Sequence, residues 1–123
     1  MEKKNLDWAN IGFSYVTTDY RYVSNYKDGK WDEGTLTEDP NVVINECAGI
    51  LQYCQECFEG LKAYTTEDGS IVTFRPDLNA ERMMDSCARL EMPQFPKERF
   101  MEALDKVVKA NEAWVPPYGS GAT

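Results

Sequence analysis

Two Asp-Gly pairs, Asp28-Gly29 and Asp68-Gly69, each lie between stretches rich in aromatic and β-branched residues. That arrangement restricts the chain to a fold built on antiparallel hairpins. Gly takes a positive φ at no steric cost and Asp tolerates one, so the pair closes a tight turn whose twist suits two paired strands. The first turn, Lys27-Asp28-Gly29-Lys30, leads to Trp31. Ahead of it Tyr20, Tyr22, Ser24 and Tyr26 alternate, as do Phe13 and Tyr15, so the first third is predicted to be strand. The second turn, Glu67-Asp68-Gly69-Ser70, joins Leu61-Lys62-Ala63-Tyr64 to Ile71-Val72-Thr73-Phe74. Between the hairpins, Val42 to Ile44 reads as a short apolar strand, and Ala48 to Phe58 as a loop with a short helical turn.

Beyond Phe74 the pattern changes. Pro76 cannot donate to a strand ladder and should end the second hairpin. Asp77 is a plausible N-cap for a helix. Ala80, Met83, Cys87 and Leu90 recur at steps of three and four, one helical face. Pro93 and Pro96 interrupt, and Pro96 suits the first turn of a second helix carrying Phe100, Leu104, Val107 and Val108 on one side. Trp114 follows, and Pro116-Pro117 stop it. Strands first and two helices after define an α+β domain with a mostly antiparallel sheet. With 123 residues the chain suits one domain. It ends in a glycine-rich connector, Tyr118 to Thr123, which reads as the start of a longer chain.

Charge narrows the partners. A formal net charge of −8 repels phosphate backbones and anionic lipid, so neither nucleic acid nor membrane is expected. No apolar run approaches the roughly 20 residues of a membrane span. The polar stretch Met1 to Asn10 resembles neither a signal nor a transit peptide, which points to the cytoplasm. The sequence has no histidine, which removes Ser–His and Cys–His nucleophile pairs and every zinc site with a histidine ligand. Four cysteines, Cys47, Cys54, Cys57 and Cys87, are by default free thiols. Cys54 and Cys57 form a CxxC, but a thioredoxin-like context is missing and zinc would need all four sulfurs, so no metal is expected.

Four features could carry chemistry. Arg82 lies in the early turns of the first long helix, where a guanidinium fork and the helix end suit a phosphate. Spacing alone favours a solvated face, with Asp85 and Arg89 paired at i,i+4. Tyr53 and Phe58 flank a polar stretch ahead of Glu59-Gly60. They could line an apolar ligand pocket, although burial tendencies favour core. Lys62 is the lone lysine of the central hairpin, and alternation turns it outward.

The order of several blocks carries more information. Cys57 to Tyr64 reads CFEGLKAY, Phe74 to Met83 reads FRPDLNAERM, Ser86 to Leu90 reads SCARL, and Trp114 to Thr123 reads WVPPYGSGAT. With the early Asp7 to Phe13 and Thr18 to Arg21, these blocks resemble the N-terminal domain of the branched-chain aminotransferases of fold type IV. The resemblance spans nearly the whole chain. It is narrower than the wider fold, which includes D-amino-acid aminotransferases and aminodeoxychorismate lyases.

The resemblance implies that residues 1–123 are the small domain of a transaminase, and that the C-terminal cofactor-binding domain lies outside this chain. It implies pyridoxal 5'-phosphate as cofactor, with branched-chain amino acids and 2-oxoglutarate as substrates, in a homodimer. Arg82 would bind the cofactor phosphate, while Tyr53, Phe58 and Gly60 would line the substrate side-chain pocket. The Schiff-base lysine has no counterpart here, so no catalytic residue is assigned within the chain. A stand-alone binding or regulatory domain of the same fold is the alternative. Where the family usually has His-Tyr-Gly ahead of the Phe-Glu-Gly block, this chain has Gln52-Tyr53-Cys54.

Overall fold

The computed structural model describes residues 2–122. Three antiparallel strand pairs and two long helices form the framework, in a small α+β arrangement. Strand β1 (Arg21–Val23) pairs with β4 (Thr35–Thr37), and between them β2 (Tyr26–Lys27) pairs with β3 (Lys30–Trp31). After α1 (Gly49–Tyr53) comes the second hairpin, β5 (Ala63–Thr65) with β6 (Ile71–Thr73). Helices α2 (Pro76–Arg89) and α3 (Lys97–Ala110) follow, then a 3-10 turn over Glu112–Trp114.

Both Asp-Gly turns close hairpins. At the first, Asp28 and Gly29 have φ of 52° and 82°, the double positive that a type I′ turn requires. The predicted single sheet is corrected to three separate two-stranded ribbons. Two predicted strands also do not form. Phe13 and Tyr15 lie in irregular, exposed chain, and so do Val42 to Ile44. Alternation or an apolar run suggests a strand, but a strand persists only where a partner satisfies its ladder groups. The alternation from Tyr20 to Tyr26 is likewise split. Asp32 accepts from Ser24 Oγ (3.0 Å), Asn25 N–H (3.0 Å) and Asn25 Nδ2 (3.0 Å), bending the chain between β1 and β2.

Helix α2 is corrected to start two residues earlier than an Asp77 cap would place it, with Arg75 in the cap position. Pro76 takes the first helical position, where its missing N–H costs nothing. Arg75, left-handed at φ 46°, turns the strand into the helix. Its guanidinium holds both Asp77 oxygens at 2.9 Å, so that carboxylate is committed to Arg75 instead of capping. At the far end Glu91 is left-handed, and Met92 N–H reaches back to Cys87 O at 2.8 Å, satisfying a terminal carbonyl. Pro96 is corrected to the residue just before α3, in extended conformation.

Helix α3 lies between the ribbons. Phe100, Leu104 and Val107 face Tyr20, Tyr22, Met83 and Phe95 across an apolar cleft of about 560 Å³. Leu104 and Val108 also face Ile71 and Thr73 of β6. Asn111 ties α3 to β1: it accepts from Tyr20 N–H at 2.9 Å and donates to Tyr20 O at 2.8 Å. The β2–β3 hairpin is pinned by Trp31, which donates to Gln94 O at 2.9 Å and meets Phe95 edge-on at 5.0 Å.

Among the described residues only Ala80, Cys87 and Val115 are buried. The accessible surface is 9188 Å², against about 6,700 Å² for a monomeric protein of this mass. The chain therefore keeps much apolar surface open.

Candidate functional site

The segment after α1 brings Glu59 and Gly60 against the first turns of α2. Arg82 Nε donates to Glu59 Oε2 at 2.8 Å and Arg82 Nη2 to Glu59 Oε1 at 2.5 Å, a two-bond fork. Asn79, one turn earlier on the helix, donates to Gly60 O at 3.0 Å and to Glu59 Oε1 at 3.3 Å. Gly60 N–H adds a bond to Glu59 Oε1 at 3.0 Å. The Glu59 side chain is 8% exposed, whereas Arg82 is 67% exposed. Glu59 is thus enclosed by donors, and its partner's guanidinium reaches outward.

The bond from Arg82, supported by Asn79 and the Gly60 N–H, holds the Glu59 carboxyl down at about 2, against the opposing effect of burial. The same bond raises Arg82 above its ordinary value. Glu59 is therefore ionised throughout the neutral range. The Nε–Nη2 edge of Arg82 is committed to Glu59, and the rest of the fork can accept another anion.

Arg82 does lie on a solvated face, as its spacing predicts, and it pairs there with Glu59. The expected Asp85–Arg89 pair is corrected: no ion pair joins the two among the described residues. Glu59 and Asn79 are the residues that sequence reasoning missed. The available signal was Asn79 and Arg82 three apart on one helix face, a spacing that lets both reach one carboxylate.

The core reading of Tyr53 and Phe58 is overturned: they are 85% and 93% exposed. Phe58 adjoins Glu59 and so lies at the Arg82 cluster. Tyr53 ends α1, and among the described residues no hydrogen bond or ring contact links it to Phe58 or Arg82. Lys62 is exposed just before β5. Cys54, where the resembling family usually has Gly, takes a left-handed conformation at φ 51° and caps α1.

No group of three or more potential metal ligands gathers among the described residues. No helix there is long and apolar enough to cross a membrane.

No family model matches the chain. Individual proteins do. A branched-chain-amino-acid aminotransferase of Haemophilus influenzae is 58% identical over 98% of this chain and 35% of its own length. One from Helicobacter pylori is 47% identical over 98% of the chain and 35% of its own length. A protein of Arabidopsis thaliana named methionine aminotransferase BCAT4 is 42% identical over 95% of the chain and 33% of its own length. Likeness of this extent, over nearly the whole chain, places it among the aminotransferases. The chain belongs to the branched-chain-amino-acid aminotransferase family, and it spans about a third of the length of these relatives.

Proposed function

We propose that this chain is the N-terminal small domain of a fold type IV transaminase that moves the amino group between leucine, isoleucine or valine and 2-oxoglutarate. The observation that carries the reading is the Arg82–Glu59–Asn79 cluster beside Phe58, on a chain 58% identical to a branched-chain aminotransferase.

The donor set suits pyridoxal 5'-phosphate. Arg82 offers an outward, permanently charged fork, the geometry a phosphate monoester takes. When bound, the cofactor supplies the electron sink that lets an amino acid lose its α-proton. Arg82 holds the phosphate. Glu59 fixes the guanidinium by one edge and leaves the other edge free. Because Glu59 cancels the Arg82 charge locally, the pair alone is a weak dianion site, and further donors come from outside these residues. Tyr53, Phe58 and Gly60 form part of the pocket wall. The aromatic rings exclude water and favour an aliphatic substrate side chain, and Gly60 leaves space beside them. With no Schiff-base lysine in the matching context, the chain binds and positions while the chemistry's lysine lies elsewhere in the protein. Composition and resemblance together lead to a cytoplasmic homodimer.

The large open surface supports an incomplete unit over a stand-alone binding domain, because a stand-alone domain would close its own core. The test is turnover by the full-length protein, read as glutamate formed from 2-oxoglutarate. Leucine, isoleucine and valine are expected to be the preferred donors. A preference for D-alanine would move the protein elsewhere in the fold class, and a preference for methionine would align it with the Arabidopsis relative.

A further inference from the structure

The sulfurs of Cys57 and Cys87 lie 3.5 Å apart, although the residues are 30 positions apart in sequence. Cys57 opens the Phe58-Glu59-Gly60 segment, and Cys87 lies on α2 beyond Arg82. Two different elements therefore present thiols to each other beside the Arg82 cluster. A disulfide needs an S–S distance of about 2.05 Å, so closure requires a movement of about 1.5 Å. Both elements are already joined by the Glu59–Arg82 fork, which holds the thiols in register. The other two cysteines, Cys47 and Cys54, are exposed, and all four are free.

We propose that Cys57 and Cys87 are a reversible redox modification site, a dithiol that closes to a disulfide and staples the Phe58–Gly60 segment to α2. The site stands on the sulfur geometry alone and does not rest on the transaminase reading.

The two thiols have different roles. Cys87 is buried, and burial first, with the neighbouring Cys57 next, pushes its thiol up to about 11. It cannot meet an oxidant from solvent. Cys57 is partly exposed and can. The oxidant is a low-molecular-weight disulfide such as oxidised glutathione. The Cys57 thiolate attacks one sulfur of that disulfide, forming a mixed disulfide and expelling one small thiolate. Cys87, once deprotonated, attacks the Cys57 sulfur and expels the second small thiolate. Two protein thiols lose two electrons and two protons, and one small disulfide becomes two small thiols.

The experiment uses the full-length protein. It is incubated with oxidised glutathione, alkylated, digested without reductant and mapped by mass spectrometry. The expected product is a peptide joining Cys57 to Cys87, two hydrogens lighter than the separate pair and released by dithiothreitol. Cys57→Ser should abolish both the link and any glutathione on Cys87. Cys87→Ser should stop at a glutathione adduct on Cys57. Since Cys87 is buried and its variant could misfold, the wild-type map and the Cys57→Ser map decide on their own. Oxidation should also slow amide hydrogen exchange of residues 58–60 by tenfold or more. A Cys54–Cys57 link, a stable glutathione adduct on wild-type Cys57, an unreactive Cys57, or unchanged exchange at 58–60 would each overturn the proposal.

Discussion

Arg82 grips Glu59 through two nitrogens, at 2.8 and 2.5 Å, across 23 residues of sequence. That fork fastens the segment after α1 to α2. It also makes stability depend on acid. The folded carboxyl titrates at about 2 and the unfolded one near 4.5. Its contribution is complete above pH 4.5, and it falls as pH drops from there toward 2 because the unfolded chain takes the proton first. Glu59→Gln should be less stable than the parent at pH 6, with the difference shrinking toward pH 2.5. Urea unfolding at both pH values measures it. An equal difference at the two values would show that the pair contributes nothing to stability through its charge.

The outward edge of Arg82 gives the second expectation. In the full-length protein, Arg82→Ala should weaken cofactor binding by about 1.5–3 kcal/mol, the loss of one hydrogen bond to a charged group. Arg89→Ala should do less, because Arg89 is exposed and has no ion-pair partner among the described residues. Fluorescence titration with the cofactor separates the two. Equal affinities for Arg82→Ala and the parent would remove Arg82 from the phosphate site.

Cys54 adopts a conformation that suits glycine. Its φ of 51° at the end of α1 brings its Cβ close to backbone, at a cost of about 1–2 kcal/mol for an L-residue. Glycine avoids that cost but loses more entropy on folding. Cys54→Gly should therefore raise stability by about 0.5–1 kcal/mol. Thermal unfolding reads the change. A drop in melting temperature would mean that the Cys54 side chain makes a stabilising contact in this loop.

Much of this framework was legible in the sequence, and the failures share a cause. The Asp28-Gly29 and Asp68-Gly69 turns and the two long helices follow from local rules, and all form. Phe13, Tyr15 and Val42 to Ile44 also look like strand locally, but no neighbouring strand pairs with them. Tyr53 and Phe58 have the composition of core and are exposed. A single chain reports what a residue prefers, not which surface covers it. Arg82 was legible as a candidate from the family resemblance. Its partner Glu59 depends on a contact across 23 residues that no local pattern reports.

Asn111 offers a test of the packing itself. Its amide completes a two-way exchange with the Tyr20 backbone and also donates to Val107 O at 2.9 Å. Asn111→Ala strands the Tyr20 N–H and leaves the Tyr20 carbonyl only the long Thr18 hydroxyl bond at 3.5 Å, and should cost about 1–3 kcal/mol. Asn111→Asp keeps the acceptor for Tyr20 N–H but sets a carboxylate oxygen against the Tyr20 and Val107 carbonyls, so it should cost at least as much. The denaturant midpoint of Asn111→Asp should fall at or below that of Asn111→Ala. Matching midpoints for Asn111→Ala and the parent would show that water replaces the side chain without loss.

The surface excess leads to the last expectation. The 123 residues expose 9188 Å², about a third more than a monomer of this mass. Phe58, Phe74 and Tyr53 are each at least 85% exposed, and large exposed apolar side chains of this kind mark surfaces that another part of a protein covers. In the proposed transaminase the remainder of the protein covers this surface. Produced alone, the chain should self-associate with rising concentration and show no transamination of leucine. Replacing Tyr53 and Phe58 together by serine should reduce the association while leaving helix content unchanged, because neither residue packs in a long helix. Light scattering across a concentration series, with circular dichroism alongside, measures both. A strictly monomeric parent chain would show that the domain closes its own pocket, and measurable turnover of leucine would show that it holds the chemistry as well.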